Sequence, residues 1–185
     1  ADFVVDETGD LAVTETLSVL FPDEGKHGIY RYWDIQDEYA DRSRVVRDLA
    51  VSRDGAPEQV DLTVQETDMR RVEVARIGDP DVTLPAGEHV FEIAYAYDDV
   101  LLADGSVLYW SLVPAGWAQP IEGGTMTVTL PRAATSVDCG IGLGQDLEPC
   151  DVSGEGSTTL TVDVPALPPR TPLTVRALLE APSSP

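Results

Sequence analysis

From Leu11 to Phe21 the odd positions read Leu, Val, Glu, Leu, Val, Phe, while the even ones are mostly small or polar. Successive side chains of an extended backbone point to opposite faces, so this beat puts one face on a core and the other in solvent. It returns at Val45–Val51, Val60–Val64, Met69–Ile77, His89–Tyr97, Val107–Val113, Met126–Leu130, Leu160–Val164 and Leu173–Ala177. Val, Thr and Tyr dominate these runs, as a pleated surface favours. No window of helical length carries an apolar stripe of period 3.6. The best helical candidate is a turn or two within Gln36–Arg44. The sequence therefore predicts an all-β fold, an antiparallel two-sheet β-sandwich of about a dozen strands with little helix.

The turn residues divide these runs. Thr8-Gly9-Asp10 joins Asp2–Asp6 to the long strand, and Asp54-Gly55 reads as the hairpin turn between Val45–Val51 and Val60–Val64. Pro165–Pro172 reads as a stiff extended crossover into the last strand. Residues 1–179 are expected to form the sandwich domain. Near 98–106 two readings stay open, a loop or a junction between two smaller sandwiches. The chain opens inside a strand at Phe3-Val4-Val5 and closes on Ala181-Pro182-Ser183-Ser184-Pro185. This suggests a domain cut from a longer protein, with residues 180–185 beginning a linker towards a membrane segment. A chain of 185 residues buries enough surface to fold without a metal or a dense disulfide set.

Charge narrows the partners. Twelve basic residues against 33 acidic ones give a net charge of −21. Nucleic-acid phosphates and anionic lipid both require neutralising cations, so neither is an expected partner. The same charge suits a soluble exterior shell. Cys139 and Cys150 frame a Gly-rich segment and are expected to close a hairpin as a disulfide, which implies an oxidising compartment. Zinc would require two further ligands, and the chain has two histidines, His27 and His89.

Three segments in register resemble the N-terminal region of the bacterial YciQ-like predicted membrane proteins, classed as domain of unknown function 2207. They are the opening hairpin ending in Leu11-Ala12-Val13-Thr14-Glu15, the motif His27-Gly28-Ile29-Tyr30-Arg31, and Trp110…Gly116-Trp117-x-x-Pro120-Ile121 followed by a strand closing on Leu130-Pro131. The resemblance runs from Phe3 to Leu179. It implies a signal-led extracytoplasmic β-domain of a cell-membrane protein, followed by transmembrane helices and a low-complexity tail. It implies no activity.

Several residues are candidates for a site. Glu15 falls in the apolar register of its strand, where a lone carboxylate is costly. Arg31 is its expected partner, in a two-point structural ion pair that pins the His27–Arg31 loop. Glu15 as a catalytic acid lacks a second carboxylate with a defined place beside it. No serine sits on a sharp glycine-flanked turn, so a serine–histidine–acid triad through His27 or His89 has no nucleophile. Asp34, Asp37, Glu38 and Asp41 crowd one loop, but no Asp-x-Asp-x-Asp-Gly calcium loop is present. Tyr30, Tyr32, Trp33, Trp110 and Trp117 are the candidate binding aromatics. Tyr30 and Tyr32 share one strand face, Arg31 and Trp33 the other. Tryptophans that fill a sandwich core are the competing account.

The expectation is thus a non-enzymatic, extracytoplasmic interaction or structural module of a bacterial membrane protein. It needs no cofactor or metal and binds no nucleic acid. Its partner would be an envelope protein or a glycan, the glycan case making it a carbohydrate-binding module.

Overall fold

The computed structural model describes residues 1–37, 42–66 and 71–181. Among them all regular structure is extended. The strands are β1 (Asp2–Val5), β2 (Leu11–Phe21), β3 (Ile29–Asp34), β4 (Gln36–Asp37), β5 (Arg42–Ser43) and β6 (Arg47–Arg53). There follow β7 (Ala56–Pro57), β8 (Val60–Glu66), β9 (Arg71–Ile77), β10 (Gly87–Tyr97), β11 (Leu101–Leu102) and β12 (Val107–Val113). The last are β13 (Gly124–Thr129), β14 (Ala134–Ile141), β15 (Glu148–Pro149), β16 (Asp151–Ser153), β17 (Thr159–Val164) and β18 (Leu173–Leu179). The all-β expectation holds.

The expected helical turn within Gln36–Arg44 is absent from its described part. Gln36 pairs with Ser43 and Asp37 with Arg42 as a β-ribbon, while residues 38–41 lie outside the described residues. Buried Ile35 sets this geometry: its N–H donates to the Arg71 carbonyl, and its carbonyl accepts from Arg44. Cross-strand bonds on both sides of Ile35 leave no local i→i+4 bonding. Met69 also lies outside the described residues, and its strand begins at Arg71.

The chain forms two compact units, Val13–Tyr97 and a second made of Ala1–Ala12 with the residues from Asp98 onward. In the Val13–Tyr97 unit the strand neighbours run β2-β10-β6-β7 in one ladder and β3-β9-β8 in another. The period of two is read out directly: Phe91, Ile93, Tyr95 and Tyr97 of β10 are buried, and the residues between them are less so. The Asp54-Gly55 turn differs from the expected hairpin. Both residues have positive φ (52° and 82°), as a tight hairpin turn requires. The turn returns the chain to β7, not to Val60–Val64. Pro57 takes a non-bonded position of this pairing, where no N–H is required, and Glu58 donates a bond beyond it to the Val51 carbonyl at 3.0 Å. Val60–Glu66 then pairs with β9.

In the other unit, neighbours run β16-β17-β13-β1 and β11-β12-β18-β14-β15. Phe3, Val5, Val128, Leu160, Val162 and Val164 form the buried side of the first ladder; Leu108, Leu112, Val175 and Ala177 form that of the second. One pairing departs from the antiparallel expectation. β1 runs parallel to β13, Phe3 opposite Val128. Parallel neighbours need a long connection, and well over a hundred residues separate these two strands.

Candidate functional site

The β3 strand divides the site into two faces. Arg31 and Trp33 point inward; Tyr30 and Tyr32 point out, their rings stacked with centroids 6.4 Å apart. The inward face meets β2 and β10. Arg31 Nε donates to Glu15 Oε2 at 3.0 Å, and Arg31 Nη2 to Glu15 Oε1 at 2.6 Å. Tyr95 donates its hydroxyl to the same Oε1 at 2.6 Å and accepts from Arg31 Nη2 at 3.3 Å. Arg31 is 3% exposed and Glu15 4%. The guanidinium carbon lies 4.9 Å from the Trp33 ring centroid and 6.0 Å from that of Tyr95, close enough for cation–π attraction.

The electrostatics follow from this packing. Burial alone would lower the Arg31 pKa, but the Glu15 carboxylate outweighs it and holds the guanidinium above its usual range. Burial, then the Glu15 charge, pushes the Tyr95 phenol well above its ordinary value. Burial does the same to Tyr97. Glu15 accepts three hydrogen bonds, so the carboxylate is already engaged by the protein.

A second buried acid was not singled out from the sequence. Glu73 lies opposite Trp33 on β9, 4% exposed, and accepts the Val46 N–H at 2.8 Å. Its signal was in the alternation: it shares a face with Ala75 and Ile77, both buried.

The His27-Gly28-Ile29 motif has a steric basis. Gly28 and Gly78 have φ of +145° and +126°. A Cβ on Gly28 would fall 1.8 Å from the Ile77 carbonyl oxygen, and one on Gly78 would fall 1.9 Å from that of His27. Two backbones this close admit no side chain at either position. The exposed His27 ring is 2.9 Å from the Val82 carbonyl through Nδ1, and Leu84 donates to the Lys26 carbonyl. The loop is thereby stitched to the segment after β9.

His89 is buried. It shares the inward register of Phe91 and packs against Phe21, ring centroids 5.3 Å apart. Nδ1 is 2.7 Å from Asp54 Oδ2 and Nε2 is 3.0 Å from the Pro85 carbonyl. Both partners can only accept, so the pair is complete when both ring nitrogens carry protons. The Asp54 bond, then the Pro85 bond, raises the His89 pKa. In turn the His89 bond lowers that of Asp54.

Trp33 is in the core, which removes it from any binding surface; its Nε1 is a buried donor without a partner among the described residues. Trp110 is half-buried on β12 opposite Val175 of β18. Trp117, also half-buried, accepts the Arg170 N–H at its carbonyl, and Ile121 exchanges both backbone bonds with Leu167. The Trp110–Ile121 motif is thus fastened to the Pro165–Pro172 crossover. These tryptophans lie in the other unit from Tyr30 and Tyr32. Cys139 on β14 and Cys150 after β15 are disulfide-bonded, with Cα atoms 5.3 Å apart. Among the described residues no group of three or more His, Cys, Asp or Glu is placed to hold a metal ion. Asp34 is exposed, and Glu38 and Asp41 lie outside the described residues.

A family model described as "Predicted membrane protein (DUF2207) N-terminal domain" matches residues 1–179. No curated protein and no solved structure matches the chain. Among the described residues no helix is long and apolar enough to cross a membrane.

Proposed function

Because the chain belongs to the DUF2207 family of predicted membrane proteins, as the N-terminal domain, we propose that it is a non-enzymatic recognition module held outside the cytoplasm. We place the parent among the bacterial YciQ-like proteins, on the strength of the His27–Arg31 and Trp110–Ile121 motifs. Within each unit we take the two ladders to face one another as a sandwich, since each has one buried side. The observation that carries the functional reading is the split of β3. Its inner residues are locked by the Glu15–Arg31–Tyr95 cluster, and its outer residues present Tyr30 and Tyr32 as a pair of exposed rings. Exposed aromatics on a rigid strand contribute contact area at little entropic cost, as binding surfaces favour. An envelope protein is the partner class this face suits.

The disulfide supports the extracytoplasmic side, since cytosolic thiols are kept reduced. The test is photo-crosslinking from a photo-reactive residue at Asp34, exposed on the same face of β3, in the full-length protein in its own membrane, with a Tyr30→Ala/Tyr32→Ala variant as control. Capture of a defined envelope protein, lost in the variant, is the expected result; an unchanged capture profile removes the tyrosine face. A membrane-impermeant maleimide on intact cells, applied to Leu143→Cys, tests the topology. Labelling confined to broken cells places the domain inside. The second reading is glycan binding through the same stacked rings. Quenching of tyrosine fluorescence by envelope glycans would favour it over a protein partner.

A further inference from the structure

The β8 strand ends its ladder, with β9 as its one strand neighbour among the described residues. Gly78 donates to the Gln59 carbonyl at 2.8 Å, which makes Gln59 and Gly78 a hydrogen-bonded pair. The register from Val60↔Ile77 to Glu66↔Arg71 is unshifted. In an antiparallel ladder such pairs alternate with non-bonded ones. Asp61, Thr63 and Gln65 therefore bond to β9, while Val60, Leu62, Val64 and Glu66 turn their N–H and C=O groups to the free edge. Their side chains lie on the same sheet face as Arg31 and Trp33. Yet Leu62 is 41% exposed and Val64 52%.

Natural edge strands are usually blunted by proline, lysine, a bulge or brevity. The seven residues Val-Asp-Leu-Thr-Val-Gln-Glu of β8 carry no proline, lysine or bulge. The two acids are neutralised locally: Asp61 is 3.3 Å from Arg76, and Glu66 is 3.3 Å from Arg71. On a chain of net charge −21, this edge is a place where like-charged copies can approach.

We propose that β8 pairs antiparallel with β8 of a second copy about a two-fold axis through Thr63. That register sets Leu62 against Val64 of the second copy, and Val64 against its Leu62. Asp61 faces its Gln65, an amide donor for a carboxylate. It also matches outward-pointing backbone groups with outward-pointing groups all along the strand. The self-complementarity of the sequence selects a second copy over an unrelated strand. The pairing and the tyrosine face use different parts of the sheet, the β8 edge and the outer face of β3, which β9 separates.

The test is sedimentation of this chain at up to ~0.5 mM, in low salt and in ~0.5 M salt. The expected result is a monomer–dimer equilibrium whose dimer fraction rises with salt, as screening removes the mutual repulsion. Leu62→Pro deletes an outward N–H and leaves the β8–β9 bonds intact. It should weaken dimerisation at least roughly tenfold with an unchanged circular dichroism spectrum. If it unfolds, Val64→Lys does the same from the side chain. Thr63→Cys, at the non-bonded position on the axis, should crosslink under mild oxidation, whereas Leu20→Cys, exposed elsewhere, should not. A chain monomeric throughout without a Thr63→Cys crosslink overturns the proposal. So does a dimer that survives both β8 variants.

Discussion

Replacing Glu15 by Gln keeps the shape of the side chain and removes its charge. Arg31 cannot follow by losing its proton, because a guanidinium stays protonated in proteins. At 3% exposure it has no solvent to turn to, so the substitution leaves a buried cation whose two-point partner has become a neutral amide. Breaking a buried pair in this way costs about 3–5 kcal/mol. For a chain of 185 residues each kcal/mol lowers the melting temperature by roughly 2–4 °C, so a drop of about 6–20 °C is expected. Tyr95→Phe removes one of the three hydrogen bonds to Glu15 and leaves the ion pair; it should cost about 1–3 kcal/mol. The informative variant is Glu15→Leu/Arg31→Met, which removes both charges and keeps the volume. Apolar replacement of a buried pair is neutral or stabilising by about 1–4 kcal/mol, so the double variant should recover most of the single-mutant loss. Urea denaturation followed by tryptophan fluorescence reads this directly, because Trp33 packs on Arg31. A Glu15→Gln loss below about 1 kcal/mol, or a double variant as unstable as the single one, refutes the reasoning.

Three more expectations follow from the same structure. His89 has a raised pKa when folded, so its pairing with Asp54 stabilises in full below about pH 6.5, the unfolded value, and fades as pH climbs through the folded one; Asp54, shifted down, contributes above about pH 4 and fades on acidification through its folded value. The melting temperature should therefore fall as pH rises above about 6.5, and His89→Gln should flatten that slope; an equal slope in both proteins counts against the pair. Gly28→Ala puts a methyl group into the Ile77 carbonyl and should cost at least about 2 kcal/mol in denaturant titration, while Gly124→Ala, with nothing within 4 Å, should be nearly silent; equal effects at both sites would contradict the close-approach account. Cys139→Ser/Cys150→Ser opens a loop of sequence separation 11, worth about 2.8 kcal/mol by loop-closure entropy; the double variant and the reduced wild type should unfold at the same denaturant concentration.

What could be read from the residues was whatever a period of two reports. Glu15 stands among Leu11, Val13 and Phe21, and that misplacement pointed to a buried carboxylate needing a cation. The same rule applied to β9 and β10 marks Glu73 beside Ala75 and Ile77, and His89 ahead of Phe91 and Ile93. Each is a polar residue in the apolar register, and each is buried and bonded. Alternation is a local property, and it names which side of a strand is covered. It does not name the neighbour. The pairing of Val60–Glu66 with β9, and the parallel docking of β1 on β13, are set by groups far apart in sequence. Nothing in the spacing of valines distinguishes the partner.

The two glycines show the same limit from the other side. Gly28 alone reads as a turn residue, and Gly78 as another. Their requirement is mutual, since each is small because the other's backbone occupies the space a side chain would need. The motif His27-Gly28-Ile29-Tyr30-Arg31 therefore combines three functions on one short stretch. Gly28 allows the close crossing, Arg31 anchors the strand to Glu15 across the core, and Tyr30 is left on the outside. A strand fixed at its start by a steric crossing and at its centre by a two-point ion pair has little freedom to rotate its outer face. Loss of either anchor should therefore loosen the tyrosine pair before it unfolds the unit. Glu15→Gln and Gly28→Ala should both raise the mobility of the Tyr30 ring by NMR relaxation at temperatures well below melting. Rigid rings in both variants would detach the outer face from the inner one.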